Sequence, residues 1–417
     1  MTSDTYNDIT LTASKLIIYM HMEGFKAMSE REKTIETIPV GPLGMIALEG
    51  CNKLGGKVDG YLSSWRNARE GEHTESIFYN GYQKDSYLLD ACCPRFGTGE
   101  AKGLIKESVR GIDLYLLADV TNYSITYTVC GHKNHMSPDD HYQDLKRIIS
   151  AAGGKARRIT VIMPYLYESR QDRRTARESL DCALALQELT NMGVDSIITF
   201  DTHDPRVQNA IPLSSLETVS PAYQFIKALL ENVPDIELNA DKLTVISPDE
   251  GGTNRAVYYA NVMEVDMGMF YKRRDYTQVI GGRNPIIAHD YVGQDLEGKD
   301  ALIVDDMISS GESVLDVAKE LKRRNANRIF VATTFGLFTN GLEKFDQAYE
   351  EGLIDKVLTT NLIYQTPELF TRPYYISVDM SKYIALIIDT MNHDLSISEL
   401  LNPVDRIHDI LSEYGWK

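Results

Sequence analysis

The residues best suited to chemistry lie in one stretch, Leu302–Val314, which reads Leu-Ile-Val-Asp-Asp-Met-Ile-Ser-Ser-Gly-Glu-Ser-Val. An apolar run ends in two adjacent carboxylates, Asp305 and Asp306, followed by hydroxyls around a single glycine. Ala301–Val304 is a short β-branched segment between turn signals and reads as a buried strand of a parallel sheet. Asp305 and Asp306 then fall at its carboxyl end, where open α/β sheets bind ligands. Ser309, Ser310 and Ser313 surround Gly311 just before amphipathic sequence resumes, so backbone N–H groups and hydroxyls can converge on a phosphate. Paired acids beside a phosphate cradle suit a sugar phosphate, with the carboxylates holding ring hydroxyls or Mg²⁺. A polar strand-to-helix turn is the competing account of the segment taken alone.

Four other loops carry chemistry of the same kind. Ser169–Arg174 holds three arginines, Arg170, Arg173 and Arg174, which can grip a polyphosphate through their guanidinium forks. Gln171 adds an amide suited to a base or a ribose, while a solvated basic turn paired with Asp172 and Glu178 fits the loop equally well. In Asp201–Asp204, His203 is flanked by acids and offers an imidazole to a divalent metal, although a lone histidine is more often structural. Ser247–Arg255 places Asp249 after a strand, then Gly251 and Gly252, then a helix, which suits an anion at the helix start and a metal on the carboxylate. Lys272, Arg273 and Arg274 form a cationic cluster at the head of Lys272–Asp290, a glycine-containing segment that reads as a mobile lid over a charged transition state. The set His132, His135, Asp139, Asp140 and His141 matches no closed zinc spacing. Ser137 and Pro138 read there as the N-cap and first residue of a helix.

These loops must hang on regular elements. Strands are expected at Met45–Leu48, Arg158–Met163, Ser196–Phe200, Leu243–Ser247, Gly268–Tyr271, Ala301–Val304 and Arg328–Thr334. Helices are expected at Ala176–Met192, closed by Gly193 as a C′ residue, and at Tyr223–Leu230, Thr253–Val262 and Ser313–Arg324. Arg66–Asp85 is polar and reads as surface loop. Strands alternating with helices of this length mean parallel α/β units. The pattern runs through two rounds with no low-complexity linker, which implies two packed α/β domains.

Composition sets outer bounds. The chain has 417 residues, 43% hydrophobic and 25% charged, ordinary for a soluble globular protein. A net charge of −17 leaves no broad basic field and argues against nucleic-acid binding. The five cysteines form no C-x-x-C pair and read as reduced thiols, and the polar, acidic start is unlike a signal peptide. With no apolar run of the ~18 residues a bilayer span needs, the expectation is a cytoplasmic protein with no membrane partner.

The order of the loops is specific. Leu302–Val314 resembles the phosphoribosyl-diphosphate (PRPP) binding motif of the phosphoribosyltransferase-fold family. It closes a series: Phe96-Gly97-Thr98-Gly99-Glu100, Ser108-Val109-Arg110-Gly111, Met163-Pro164-Tyr165 with Arg170-Gln171-Asp172, Asp201-Thr202-His203, Ser247–Gly252 and Tyr271–Arg274. From about Arg95 to Leu401, including the closing Ile376-Ser377-Val378 and Leu395–Leu401, the series resembles the ribose-phosphate diphosphokinase (PRPP synthetase) family.

The resemblance implies two tandem phosphoribosyltransferase-type domains, each a mainly parallel sheet flanked by helices. It implies transfer of the β,γ-diphosphoryl group of ATP to O1 of ribose 5-phosphate, with Mg²⁺ as cofactor, in a homo-oligomer whose ATP site a neighbouring subunit completes. By the same resemblance Phe96 stacks on adenine, and Glu100, Arg170, Gln171 and Asp172 help hold ATP. His203 and Asp249 are the Mg²⁺ ligands, Asp305 and Asp306 take the ribose hydroxyls, and Ser309, Ser310, Gly311 and Ser313 take the 5-phosphate. Lys272 and Arg274 are the lid cations acting on the transferring group. The expected units are 1–90 (an extension and the first elements of the N-terminal domain), 91–215 (ATP side), 216–374 (ribose 5-phosphate side) and 375–417 (a segment packing back on the N-terminal domain). The sequence departs from the family pattern at Thr98, where aspartate is usual, and at Thr202 and Asp204 around His203. It departs again at Ser309, Gly311 and Glu312, which replace the common Asp, Ala and Gly. Glu312 would repel a phosphate unless it points away. A PRPP-consuming phosphoribosyltransferase and a non-catalytic regulatory homologue are the alternative functions.

Overall fold

The computed structural model describes residues 38–69, 81–274 and 286–416. In the first half the strands are β1 (Leu43–Ala47), β2 (Ala91–Cys92), β3 (Leu104–Ile105), β4 (Asp113–Leu117), β5 (Thr126–Val129), β6 (His132–His135), β7 (Arg158–Ile162), β8 (Ser196–Phe200) and β9 (Ser215–Val219). The helices there are α1 (Asn52–Ala68), α2 (Pro138–Ala152) and α3 (Asp181–Asn191). β1, β4, β7, β8 and β9 form one sheet in that order, every pair parallel. β5 and β6 make a separate antiparallel hairpin, as do the two-residue strands β2 and β3.

The second half contains α4 (Ala222–Asn232), β10 (Leu243–Ser247), α5 (Thr253–Met263), β11 (Asp266–Arg274), β12 (Ile286–Val292), β13 (Asp300–Ile308) and α6 (Glu312–Arg323). It continues with β14 (Ile329–Gly336), α7 (Glu343–Glu350), β15 (Lys356–Thr360), β16 (Tyr375–Val378), α8 (Ser381–Asn392), α9 (Ser398–Leu401) and α10 (Val404–Glu413). The seven strands β12-β11-β10-β13-β14-β15-β16 form the second sheet, parallel except for the β11–β12 pair. The two tandem, mainly parallel sheets are the architecture expected from the alternation of elements. The chain leaves β10 toward β11 on one side and returns with β13 on the other. The carboxyl ends of β10 and β13 therefore flank a topological switch point, the crevice where such sheets bind ligands.

Most expected elements form, because continuous apolar strands such as β7 and β14 are buried on both faces. Three expectations need correction. Arg66–Asp85 is not simply loop: α1 runs through Ala68, and Arg66 and Arg69 are buried. The glycines of α1 lower its intrinsic helix preference, and packing of Leu54, Val58, Leu62 and Trp65 overrides it. The helix expected from Ala176 starts at Asp181. Thr175 bonds Glu178, and the Gln171 amide bonds the Ser179 carbonyl at 2.9 Å, while no apolar face exists before Leu180 to reward helix. Finally, Lys272–Asp290 is not a loop throughout, since β11 extends to Arg274 and β12 begins at Ile286. Tyr271 pairs with Asp290, Lys272 with His289 and Arg273 with Ala288, with a register shift before Arg274.

The Ser137–Pro138 helix start forms as read, with Ser137 capping α2 in a reciprocal box with Asp140. His141 and His135 bond the backbone carbonyls of Asn122 and Tyr123 through ring nitrogens. One apolar core spans both halves, joining Leu117, Phe200 and Val219 to Val245, Val304, Leu358 and Ile388.

Candidate active site

The site forms where the loop after β8 meets the carboxyl ends of β10 and β13. The strand β13 is longer than its apolar run, so Asp305 and Asp306 are its own residues, Asp306 buried and Asp305 half-buried. From the first half, Nδ1 of His203 lies 3.1 Å from Oδ2 of Asp306. Tyr165 also crosses between the halves, meeting the Phe335 ring edge-on at 5.1 Å and Met307 Sδ at 3.9 Å.

Arg255, in the first turn of α5, ties the two sides. Its guanidinium donates to Asp201 at 2.9–3.1 Å and reaches Asp305 at 3.4 Å. Asp201 adopts a left-handed backbone with φ of 41°, uncommon outside glycine, and is held there by Arg255 and by the Thr334 hydroxyl at 2.5 Å. Asp249, after β10, accepts the Gly251 and Gly252 N–H groups at 3.0 and 3.3 Å and closes the turn into α5.

Three carboxylates, Asp201, Asp305 and Asp306, thus gather about Arg255 and His203, with Asp249 within electrostatic reach of Asp305. Burial and the Asp306 charge push the Asp305 carboxyl well above the usual range, with Asp249 adding to the effect and Arg255 opposing it. Asp306 would also be raised by burial, but the His203 hydrogen bond and the Arg255 charge outweigh that and hold it low. The pair behaves as two acids with one of them readily ionised. The Asp306 bond raises the His203 imidazole against the opposing effect of burial. Asp172 raises it further and Arg170 lowers it, so this loop also comes within electrostatic reach of His203.

A divalent cation would offset such an excess of carboxylate, and oxygen donors beside an imidazole are the kind of groups that bind one. Among the described residues no three of His, Cys, Asp and Glu enclose a metal by themselves. Mg²⁺ commonly takes one or two protein ligands and completes its shell with phosphate and water.

Beyond β13, Ser309 and Ser310 are half-buried and Ser313 is exposed at the start of α6. Gly311 has a φ of 82°, and a Cβ there would sit 2.3 Å from the Phe345 ring, so this bend admits only glycine. Glu312 pairs with Lys344 of α7 at 2.6 Å, and that bond lowers its carboxyl. The carboxylate that would oppose a phosphate is thereby neutralised from the neighbouring helix.

In the first half, Phe96 is 54% exposed and Glu100 is exposed. Their turn closes through Gly99 N–H to Phe96 O at 2.9 Å and Phe96 N–H to Glu100 O at 2.7 Å. Thr98 donates to Glu100 at 2.9 Å. Arg170 is exposed, Asp172 half-buried, and the Gln171 amide is engaged within its own loop. The backbones of Lys272 and Arg274 lie in β11, but their side chains fall outside the described residues.

The sequence reading passed over Arg255, Asp201 and Thr334. Arg255 and Asp201 stood at the edges of loops singled out for other residues. An arginine in the first turn of a helix, behind an apolar strand, was the available signal, because a buried guanidinium demands carboxylates.

The fold and the acid pair before a glycine bend place the protein in the phosphoribosyltransferase-type class. A family model for the N-terminal domain of ribose phosphate pyrophosphokinase matches residues 44–193, and one for the phosphoribosyl transferase domain matches 213–363. The chain belongs to the ribose-phosphate pyrophosphokinase family, and the match begins well before the motif series read from Arg95. It is 31% identical over 312 residues to a ribose-phosphate pyrophosphokinase of Mycoplasma genitalium, covering 74% of this chain and 85% of the relative. It is 29% identical over 321 residues to that of Vibrio cholerae, covering 76% and 92%. Its fold is similar to the crystal structure of phosphoribosylpyrophosphate synthetase from Mycobacterium smegmatis, with a TM-score of 0.65 and 20% identity over 84% of this chain and 99% of that one.

Proposed function

We infer that the chain is a ribose-phosphate diphosphokinase, which moves the β,γ-diphosphoryl group of Mg-ATP to O1 of ribose 5-phosphate and releases AMP and PRPP. The observation that carries this is the His203–Asp306 bond, which joins the nucleotide-side loop to the sugar-side acids. Asp305 and Asp306 accept the ribose hydroxyls. The 5-phosphate takes the N–H groups and hydroxyls of Ser309, Ser310, Gly311 and Ser313 at the start of α6. Phe96 stacks on adenine, and Glu100, Arg170, Gln171 and Asp172 bear on ATP.

O1 attacks the β-phosphorus in line; the new O1–phosphorus bond forms as the bond to the AMP oxygen breaks, and the O1 proton leaves to water. Catalysis is then positioning and charge neutralisation. His203 and Asp249 would hold Mg²⁺, which when bound neutralises charge on the ATP phosphates. With Nδ1 on Asp306, the His203 ring keeps Nε2 for the metal, the usual orientation of a carboxylate-backed imidazole. Lys272 and Arg274 close over the transferring group. Replacing either by alanine is expected to lower turnover about 10²-fold with little change in ribose 5-phosphate affinity. Unchanged turnover in both would remove the lid role.

The working units remain 1–90, 91–215, 216–374 and 375–417. A homo-oligomer fits the exposed Phe96. A cytoplasmic setting fits five unpaired thiols, and among the described residues no helix is long and apolar enough to cross a membrane.

The test is AMP and PRPP formation by the purified chain with Mg²⁺, ATP and ribose 5-phosphate. The Asp305→Ala/Asp306→Ala double variant serves as control. Equal amounts of both products, lost in the control, would establish the synthetase. No product with any donor or metal would leave a non-catalytic homologue.

A further inference from the structure

We propose that the β5–β6 hairpin is the positioning element of the nucleotide turn, holding Phe96–Glu100 in its binding shape. The proposal rests on the ATP assignment of that turn. The hairpin is built as a stiff unit. Cys130 and Gly131 form its two-residue tip with φ of 49° and 84°, the turn whose twist matches the strands it joins. In its register Tyr127 faces Asn134 and Val129 faces His132, so these four side chains share one face.

The hairpin meets the turn at two points and the chain leading into it at a third. The Cys130 N–H donates to Gly97 O at 2.8 Å. Gly99, with φ of 90°, lies flush on the hairpin: a Cβ there would be 3.0 Å from Val129. Arg95, immediately before the turn, places its guanidinium 4.7 Å over the Tyr127 ring and bonds Asp144 of α2 at 2.7 Å. The hairpin is anchored in turn to α2. The Tyr127 hydroxyl donates to both Asp140 oxygens at 3.1 and 3.2 Å, the carboxylate that closes the α2 capping box. A continuous chain of contacts therefore runs from the start of α2 through Tyr127 to Arg95 and the turn. The turn's other bonds are short-range, between Phe96 and Gly99, Phe96 and Glu100, and Thr98 and Glu100. These bonds and the Arg95–Ala101 bridge fix the turn's internal shape, and the hairpin fixes where the turn, with Phe96 and Glu100, stands against the domain.

The hairpin's bonds run to α2 and to the Phe96–Glu100 turn, on the nucleotide side, so the effect is expected to separate the two substrates. Steady-state kinetics on the full chain, with each substrate varied in turn, provide the test. Tyr127→Ala and Val129→Ala are expected to raise KM for ATP about fivefold or more, with KM for ribose 5-phosphate within about twofold and kcat at saturating ATP retained. Tyr127→Phe keeps the ring over Arg95 but loses the bond to Asp140, and is expected to raise KM for ATP less than Tyr127→Ala. An ATP KM within about twofold of the parent in both alanine variants would overturn the proposal, as would an equal rise for both substrates. Phe96→Ala and Glu100→Ala are measured alongside. If they raise KM for ATP while the hairpin variants do not, the bracing role alone is lost. If they too leave it unchanged, the ATP assignment fails and the bracing role falls with it.

Discussion

Arg255 is half-buried among acids from both halves, bonding Asp201 and reaching Asp305. Its removal would leave Asp201 in a left-handed turn with one fewer anchor and give Asp305 and Asp306 no guanidinium to offset their repulsion. Arg255→Ala is expected to lower turnover about 10²-fold and to cost about 1–3 kcal/mol in urea-unfolding free energy, the penalty of leaving partly buried carboxylates without their donor. Arg255→Lys would recover only part of the turnover, because an ammonium cannot fork between two carboxylates. Turnover of the alanine variant equal to the parent's would refute the bridging role. A milder effect belongs to Lys344, whose bond to Glu312 is solvent-exposed. Lys344→Glu would set two carboxylates beside the Gly311 bend, raising KM for ribose 5-phosphate about threefold or more while kcat holds. An unaltered KM would mean that Glu312 stays clear of the phosphate without help.

At the scale of elements, the C-terminal helix α8 is fastened to α1 and the first sheet by buried charge. Arg66 and Arg69 donate to the two oxygens of Asp389, each at 2.8 Å, and Arg66 also bonds Asn392 at 2.7 Å. Asn392 passes the network to Asp113 at 2.8 Å, which Arg158 grips with two bonds. Burial would raise the Asp389 carboxyl, but Arg66 and Arg69 outweigh it and hold it far below the ordinary carboxylate range. The sign follows: a depressed carboxyl stabilises the folded chain above its unfolded pKa of about 4, and that contribution is lost as pH falls from there toward the folded value. Asp389→Ala is expected to destabilise by about 3–5 kcal/mol at pH 7, and the gap to the parent should narrow below about pH 4. Urea melts across that range would show it, and a constant gap would disprove it. This clasp was illegible in the sequence because its partners lie more than 300 positions apart. The β11–β12 ladder was missed for a different reason. Polar and cationic residues along β11 hide an antiparallel partner whose spacing gives no short hairpin signal.

For the whole molecule, the apolar core runs without a break from the first sheet to the second and takes in α8 and α10. Together with the His203–Asp306 bond and the α8 clasp, it makes the halves one folding unit. Calorimetry is expected to give a single transition with matching calorimetric and van't Hoff enthalpies. Two resolved transitions would show that the halves fold independently. Local order alone determined much of this protein. The apolar strands β7, β8 and β10 and the helices that follow them are set by runs of a few residues, and the chemistry of Leu302–Val314 is complete within one strand and one bend. Only the tertiary structure decided that His203 and Arg255 hold Asp306 low while burial raises Asp305, that Glu312 is paired with Lys344, and that Arg255 and Asp201 belong to the site at all. The physical reason is range. Backbone preference and hydrophobic period act over a turn or a strand. Charge, desolvation and the partners of a buried guanidinium depend on what the fold brings to within a few ångströms from distant parts of the chain.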